Sequence, residues 1–117
     1  MNQNINLSFV YGTLKQGFHN HRVMKHAGGE FVGEATLSGA TMYSLGGFPG
    51  IVLDDSDNTV VGEVYSVKDF APLDYLEGYP SFYDRKVVET SLGKAWVYFL
   101  PQSSVKGLSV VKNGVWE

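Results

Sequence analysis

The chain has 117 residues, of which 44% are hydrophobic and 18% charged, a composition typical of one globular domain with a single core. Nine Lys and Arg against twelve Asp and Glu give a formal charge of -3, so we expect no nucleic-acid partner. Because there is no cysteine, disulfides, thiolate nucleophiles and cysteine-based metal sites are excluded.

The N-terminal residues 1–5 show no basic start followed by an apolar stretch, and no run approaches the roughly 20 apolar residues of a membrane span. We therefore expect a cytoplasmic protein that does not bind membranes, with residues 1–117 forming a single domain. The sequence leaves the oligomeric state open.

Alternating apolar residues, β-branched runs and glycine-containing breaks predict seven strands and two short helices. In chain order these are a strand at 5–11, a helix at 21–27, strands at 31–37, 41–45, 50–53 and 60–67, a helix capped at 69 and running to 76, and strands at 83–90 and 94–100. Asn20 and Asp69 are suitable N-caps, and glycines follow both helices. The tail from Gln102 carries enough apolar residues to pack on the body, with Trp116 near its end.

Glu77 is the first candidate functional residue. Phe70, Leu73 and Glu77 are spaced i, i+3, i+7, so this carboxylate shares the apolar stripe of the second helix, beside Leu76. Burial and the nearby negative end of the helix dipole both raise the pKa of such a carboxyl. Glu77 is therefore a candidate general acid/base, although most glutamates at helix ends are solvated or act as caps. Asp74, one turn earlier, is interpreted as an ordinary surface acid.

The turn after the first strand, residues 11–14 and called the first turn below, is the second candidate. It opens a loop bounded by Gly12 and Gly17, whose backbone N–H groups can converge on an anion. A glycine after a strand is more often only a turn, and the G-x-x-x-x-G-K-[ST] pattern of a phosphate-binding loop is absent.

Other polar residues receive structural interpretations. His19, His21 and His26 lack a fourth ligand at a suitable spacing, so we expect surface histidines and no metal site. Arg85 and Lys86 begin a strand and are typical of an exposed edge.

Several blocks in order resemble the γ-glutamylcyclotransferase-like (AIG2-like) family. Residues 10–17, VYGTLKQG, followed by Asn20 and His21, are similar to its Y-G-T-L-x-x-G-x-x-N pattern. Residues 73–80, LDYLEGYP, followed by Tyr83 and Arg85, are similar to its L-D-x-L-E-G-x-P…Y-x-R block. Residues 48–52, 61–65 and 95–98 complete the order, so that the likeness covers roughly residues 9–99.

Three departures from the family pattern bear on substrate preference more than on fold. Phe48 stands where the family commonly has Tyr, and Gly50 where it commonly has Ala. Residues 113–116 match its ending only loosely.

The resemblance implies an α+β fold, with a small, curved, mostly antiparallel sheet closing toward a barrel and two short helices beside it. It also implies a cavity between the first turn and the second helix. The residues implied to act there are Glu77 as the catalytic acid/base and Tyr11, Gly12, Thr13, Leu14 and Tyr83 as the substrate-binding set.

The implied reaction closes 5-oxoproline by attack of a γ-glutamyl α-amine on its own γ-carbonyl, releasing an amine or amino acid. It requires no cofactor or metal, and among the branches those acting on γ-glutamylamines look nearest. The alternative is a non-catalytic module that binds a small molecule in the same cavity, since one fold hosts many functions. A purely structural partner protein is a third reading. An ionisable residue at position 77 favours catalysis, because a buried carboxyl without a role is costly.

Overall fold

The sequence folds into seven strands and two α-helices in the computed structural model, which describes residues 5–117. In chain order these elements are β1 (Leu7–Val10), α1 (His21–His26), β2 (Glu30–Ser38), β3 (Ala40–Ser44), β4 (Pro49–Leu53), β5 (Thr59–Ser66), α2 (Ala71–Glu77), β6 (Asp84–Thr90), β7 (Gly93–Phe99) and a 3₁₀ turn (Gln102–Val105). The predicted strands and helices are confirmed to within about two residues at each end.

A five-stranded sheet in the order β2-β5-β1-β7-β6 forms the body, and β3 and β4 pair as a separate ribbon. Among the strands of residues 5–117, only β1 and β7 pair in parallel. Strands β6 and β7 form the predicted antiparallel hairpin, and β1 joins β7 from a distant part of the chain. The strand β1 lies at the centre and is buried on both faces, with Phe9 and Val10 pointing to opposite sides.

The expected closing of the sheet toward a barrel is not found. Among residues 5–117 no strand ladder joins the edge strands β2 and β6. The two edge strands lie near each other, and at the β6–β7 turn the Ser91 N–H donates to the Thr36 carbonyl at 3.0 Å while the Thr36 N–H donates to Ser91 Oγ at 2.8 Å. The fold is therefore α+β with an open, mixed sheet.

Two apolar clusters fill the interior, one on each side of β1. One holds the helix residues Met24 and Leu73 with Val10 from β1, and the other holds Phe9 with Val97. The helices thus lie against one face of the sheet, on the side where the first turn emerges.

The sequence predicted an N-cap for each helix, and the structure differs from the prediction at both. The N-cap of α2 is Phe70, one residue after the predicted Asp69, and the Asp69 carboxylate accepts the Ala71 N–H at 3.0 Å just before the helix. Asn20 makes no cap hydrogen bond, and its side-chain amide donates instead to Thr13 Oγ1 at 2.9 Å. Asn20 therefore occupies the predicted N-cap position of α1, but its side chain bonds the preceding loop instead of the helix.

The C-terminal tail packs on the body, as predicted. Val105 is buried in the 3₁₀ turn, and Val110 forms a bridge with Tyr43 of β3. The Trp116 carbonyl accepts a hydrogen bond at 2.8 Å from Lys15 Nζ. Since Lys15 follows the first turn, the tail helps to fix that turn in place.

Candidate active site

A cavity of about 240 Å³ lies between the first turn, the start of β4 and the end of α2. Its volume suits a ligand of amino-acid size, below the usual range for drug-sized ligands. The structure brings all of the sequence-predicted site residues to its walls. They are Tyr11, Gly12, Thr13, Leu14, Glu77 and Tyr83.

Glu77 ends α2 and faces this cavity. The helix stripe is as predicted, with Leu73 fully buried and Phe70 half-buried against the same core. Gly78 ends the helix in the left-handed conformation, with φ of 66°, which suits glycine. The last turn therefore directs the carboxylate inward while the chain leaves toward β6.

Burial raises the pKa of Glu77 from 4.5 to about 7. Within residues 5–117 no hydrogen bond or ion pair of this carboxylate accompanies its desolvation. An unpaired carboxyl with a pKa near neutrality can both accept and donate a proton at physiological pH.

The first turn is held in shape by the two residues that begin the next helix. The Asn20 N–H donates to the Thr13 carbonyl at 3.1 Å, and the Asn20 side chain also bonds Thr13. His21 Nδ1 lies 2.9 Å from the Leu14 carbonyl. Among the described residues, no hydrogen bond occupies the N–H groups of Gly12, Thr13 or Leu14. These donors are available to an anion or a carbonyl oxygen in the cavity.

A second set of contacts anchors the loop that follows the turn. Glu63 of β5 accepts the Gln16 N–H at 3.0 Å and the Tyr65 hydroxyl at 2.8 Å. Lys15 is buried beneath the tail, and burial lowers the pKa of its ammonium group. The turn is thus held from β5 and from the tail together.

Gly12 has a specific steric reason to be glycine. A Cβ at this position would lie 2.8 Å from Pro49 Cγ and 2.9 Å from Pro49 Cδ. The first turn and the start of β4 approach each other this closely because no side chain separates them. Their contact forms one edge of the cavity.

Tyrosines supply much of the cavity wall. The Tyr11 hydroxyl donates to the Tyr98 carbonyl at 2.8 Å, and the Tyr83 hydroxyl donates to the Pro49 carbonyl at 2.6 Å. Burial raises the pKa of both, with the Glu77 carboxylate acting in the same direction. Both phenols are therefore neutral donors already engaged by the backbone, and they shape the cavity more than they exchange protons.

A partly buried ion pair between α2 and β6 was missed by the sequence reasoning. Arg85 Nη1 lies 3.1 Å from Asp74 Oδ1, with side-chain exposures of 20% and 24%. The Arg85 guanidinium also stacks within cation–π distance of three rings. The distances from its carbon to the ring centroids are 5.2 Å for Phe70, 4.8 Å for Tyr79 and 4.7 Å for Trp96.

Asp74 and Arg85 therefore do not have the roles expected of them. Asp74 is no ordinary surface acid, because it also accepts the Tyr98 hydroxyl at 2.7 Å. Arg85 is no exposed edge residue, since β6 and α2 enclose it. Asp74 lies one turn before Glu77 and ties the helix to β6 and β7. The sequence signal for this ion pair was the presence of both residues in the block that resembles the family, Asp74 in its Leu-Asp and Arg85 in its Tyr-x-Arg.

The three histidines occupy different positions in the structure. His19 lines the cavity mouth, His21 holds the first turn, and His26 is exposed at the end of α1. Over residues 5–117 no group of three or more His, Cys, Asp or Glu side chains is arranged to hold a metal ion. The same part of the chain contains no helix long and apolar enough to cross a membrane.

The fold and this cavity define a class of α+β proteins with an amino-acid-sized pocket beside a largely buried carboxylate. The family model described as gamma-glutamyl cyclotransferase, AIG2-like, matches residues 8–117. The chain belongs to this family, as the sequence resemblance indicated.

Individual relatives agree with this assignment. A protein of Vibrio cholerae, named provisionally as a γ-glutamylcyclotransferase, is 38% identical over 113 residues, covering 94% of each chain. A γ-glutamylcyclotransferase family protein of Escherichia coli is 36% identical over 110 residues, covering 92% of this chain and 93% of its own. The crystal structure of an AIG2-like protein from Mus musculus superposes with a TM-score of 0.78 at 26% identity, covering 94% of this chain and 88% of that one.

Proposed function

We propose that this protein is a γ-glutamyl cyclotransferase that converts a γ-glutamyl amide into 5-oxoproline and a free amine or amino acid. The observation that carries the proposal is the Glu77 carboxyl, whose pKa burial raises to about 7 and which faces unoccupied backbone donors across a small cavity. Family membership and the names of the relatives support this class of reaction.

The chemistry needs only residues that the cavity contains. The α-amine nitrogen attacks the γ-carbonyl carbon, so one C–N bond forms as the ring closes and the bond to the leaving nitrogen breaks. Ionised Glu77 takes the proton from the attacking amine and then gives it to the leaving nitrogen, so the enzyme returns to its starting state. Because attack is intramolecular, holding the substrate in a folded pose supplies much of the acceleration.

The first turn binds the polar end of the substrate in this mechanism. The N–H groups of Gly12, Thr13 and Leu14 hold the α-carboxylate or the oxyanion that develops on the γ-carbonyl, and one oxyanion donor is worth about 3 kcal/mol in other acyl-transfer sites. Tyr11 and Tyr83 form the cavity wall that keeps the γ-glutamyl chain of the substrate folded back on itself.

The test is a mass-spectrometric search for 5-oxoproline after incubation with γ-glutamyl amines, γ-glutamyl amino acids and glutathione. We expect product from the wild type, none above background from Glu77→Gln, and undiminished product from the control Glu30→Gln, which removes an exposed carboxylate on β2. Full activity in Glu77→Gln would exclude the acid/base role. Binding without turnover of any compound would favour a non-catalytic binding module.

A single domain over residues 1–117 and a cytoplasmic location stay predictions, and residues 1–4 lie outside the part that the structure describes.

A further inference from the structure

Three large apolar side chains at the mouth of the cavity remain exposed. They are Phe48 at 38%, Leu76 at 36% and Phe82 at 48% exposure, and together we call them the apolar rim. The Phe48 and Phe82 rings meet edge to face with centroids 6.2 Å apart. Phe82 also stacks on Tyr83 of the cavity wall, at 4.9 Å. The rim therefore continues the inner wall out to solvent.

The size of the cavity decides which part of a substrate reaches the rim. The volume of about 240 Å³ includes the space beside the rim residues, so a γ-glutamyl group held between the first turn and Glu77 leaves the space at the rim for the rest of the substrate. Glu77 must reach the leaving nitrogen, and Leu76 of the rim precedes it on α2. The group attached to that nitrogen consequently leaves the cavity across the rim.

The charge of the surroundings limits what that group can be. Among the described residues lining the cavity, Glu77 and His19 are the only ionisable side chains apart from tyrosines, and no Lys or Arg is present. Arg22 lies in a neighbouring groove between α1 and α2 that shares only Asn20 and Leu76 with the cavity. A carboxylate on the leaving group would lie against aromatic rings without a permanent cation to pair with it.

We propose that the apolar rim is the leaving-group subsite and that it selects an aromatic or similarly apolar amine lacking a carboxylate. This inference rests on the proposed cyclotransferase function and adds the substrate class to it. Two rings already exposed and mutually packed can cover a third ring without reorganisation, which favours an aromatic group over a short alkyl one.

Three matched substrates test the inference by their kcat/KM for 5-oxoproline release. γ-Glutamyl-phenethylamine and γ-glutamyl-ethylamine differ by the ring, whereas γ-glutamyl-phenethylamine and γ-glutamyl-phenylalanine differ by the carboxylate. We expect the phenethylamine compound to exceed each of the others by about tenfold, the size of one aromatic contact.

Variants locate the preference on the rim. Phe48→Ala is expected to bring the ratio of kcat/KM for the phenethylamine and ethylamine compounds close to one, and Phe48→Leu to leave an intermediate ratio. Phe31→Ala removes a ring that is 47% exposed on β2 and outside the cavity, so the ratio should stay at the wild-type value.

The outcomes separate this inference from the proposed function. Equal kcat/KM for all three substrates would overturn the subsite while leaving the cyclotransferase intact. Faster turnover of the phenylalanine compound would overturn it too, and would move the leaving group toward Arg22. If folded protein released 5-oxoproline from none of the three, the subsite would be rejected, and the proposed function would be rejected with it only if glutathione and the rest of the γ-glutamyl panel also gave no product.

Discussion

Replacing Glu77 with Gln should change the pH dependence of stability in a way that the structure specifies. The pKa of Glu77 is raised in the folded protein from 4.5 to about 7, so the folded state retains a proton that the unfolded chain releases. This contribution to stability is fully present below about pH 4.5 and is lost as the pH rises through about 7. The amide in Glu77→Gln is neutral at every pH and keeps nearly the same shape.

The size of this change in the free energy of unfolding follows from the pKa shift of Glu77. A difference of about 2.5 pKa units corresponds to between about 3 and 4 kcal/mol at about 1.4 kcal/mol per unit. Because the side chain lines an open cavity, solvent screening reduces this to about 2 kcal/mol. The wild type should therefore lose about 2 kcal/mol relative to Glu77→Gln between pH 4 and pH 9.

Urea unfolding across that pH range measures the difference directly, and subtracting the two curves cancels the titration of all other groups. Glu30→Gln, which also removes one carboxylate, serves as the control for net charge. Parallel curves for wild type and Glu77→Gln would refute the buried, unpaired carboxyl. The same group should govern activity: kcat/KM should rise with pH through about 7, since ionised Glu77 accepts the proton.

Three further substitutions test the surrounding structure. Gly12→Val drives side-chain atoms into Pro49, whose Cγ lies 2.8 Å from the Cβ position, so we expect the calorimetric Kd for a γ-glutamyl amine to rise at least about tenfold. An unchanged Kd would argue against the first turn as the binding element. Tyr83→Phe loses the 2.6 Å hydrogen bond to the Pro49 carbonyl, and urea unfolding should show a loss of about 1 kcal/mol, with a smaller effect on turnover than Glu77→Gln. Asp74→Asn leaves the Arg85 guanidinium among aromatic rings without its carboxylate partner. Allowing for partial exposure, it should lower the free energy of unfolding by about 2 kcal/mol. Adding Arg85→Met should recover part of that loss, and strictly additive losses would show that the two charges are not coupled.

Local patterns were sufficient for most of the elements and for the principal candidate. Apolar alternation located the strands, and the i, i+3, i+7 stripe with a following Gly78 placed Glu77 on the inner face of α2. These features depend on neighbours within one or two turns of the same element, so the sequence carries them directly.

Contacts between distant segments were not predictable in this way. Asp74 and Arg85 each look like solvated charges in isolation, and their burial depends on the rings that α2 and β7 bring around them. Asn20 has the features of a helix cap but bonds Thr13, because the first turn folds back on it. Closure of the sheet likewise depends on how two edges meet, and no local pattern reports that.

The parallel pairing of β1 with β7 has a consequence for synthesis. Leu7–Val10 carries the first turn, and its partners are β5 and the much later β7. A chain emerging from the ribosome therefore contains the first turn long before it contains β7, one of the two strands that flank β1. During translation β1 can pair with β5 before β7 exists, which leaves one edge of β1 uncovered until β7 is made. No partial product that stops before β7 contains the assembled cavity, because Tyr98 of β7 forms part of its wall.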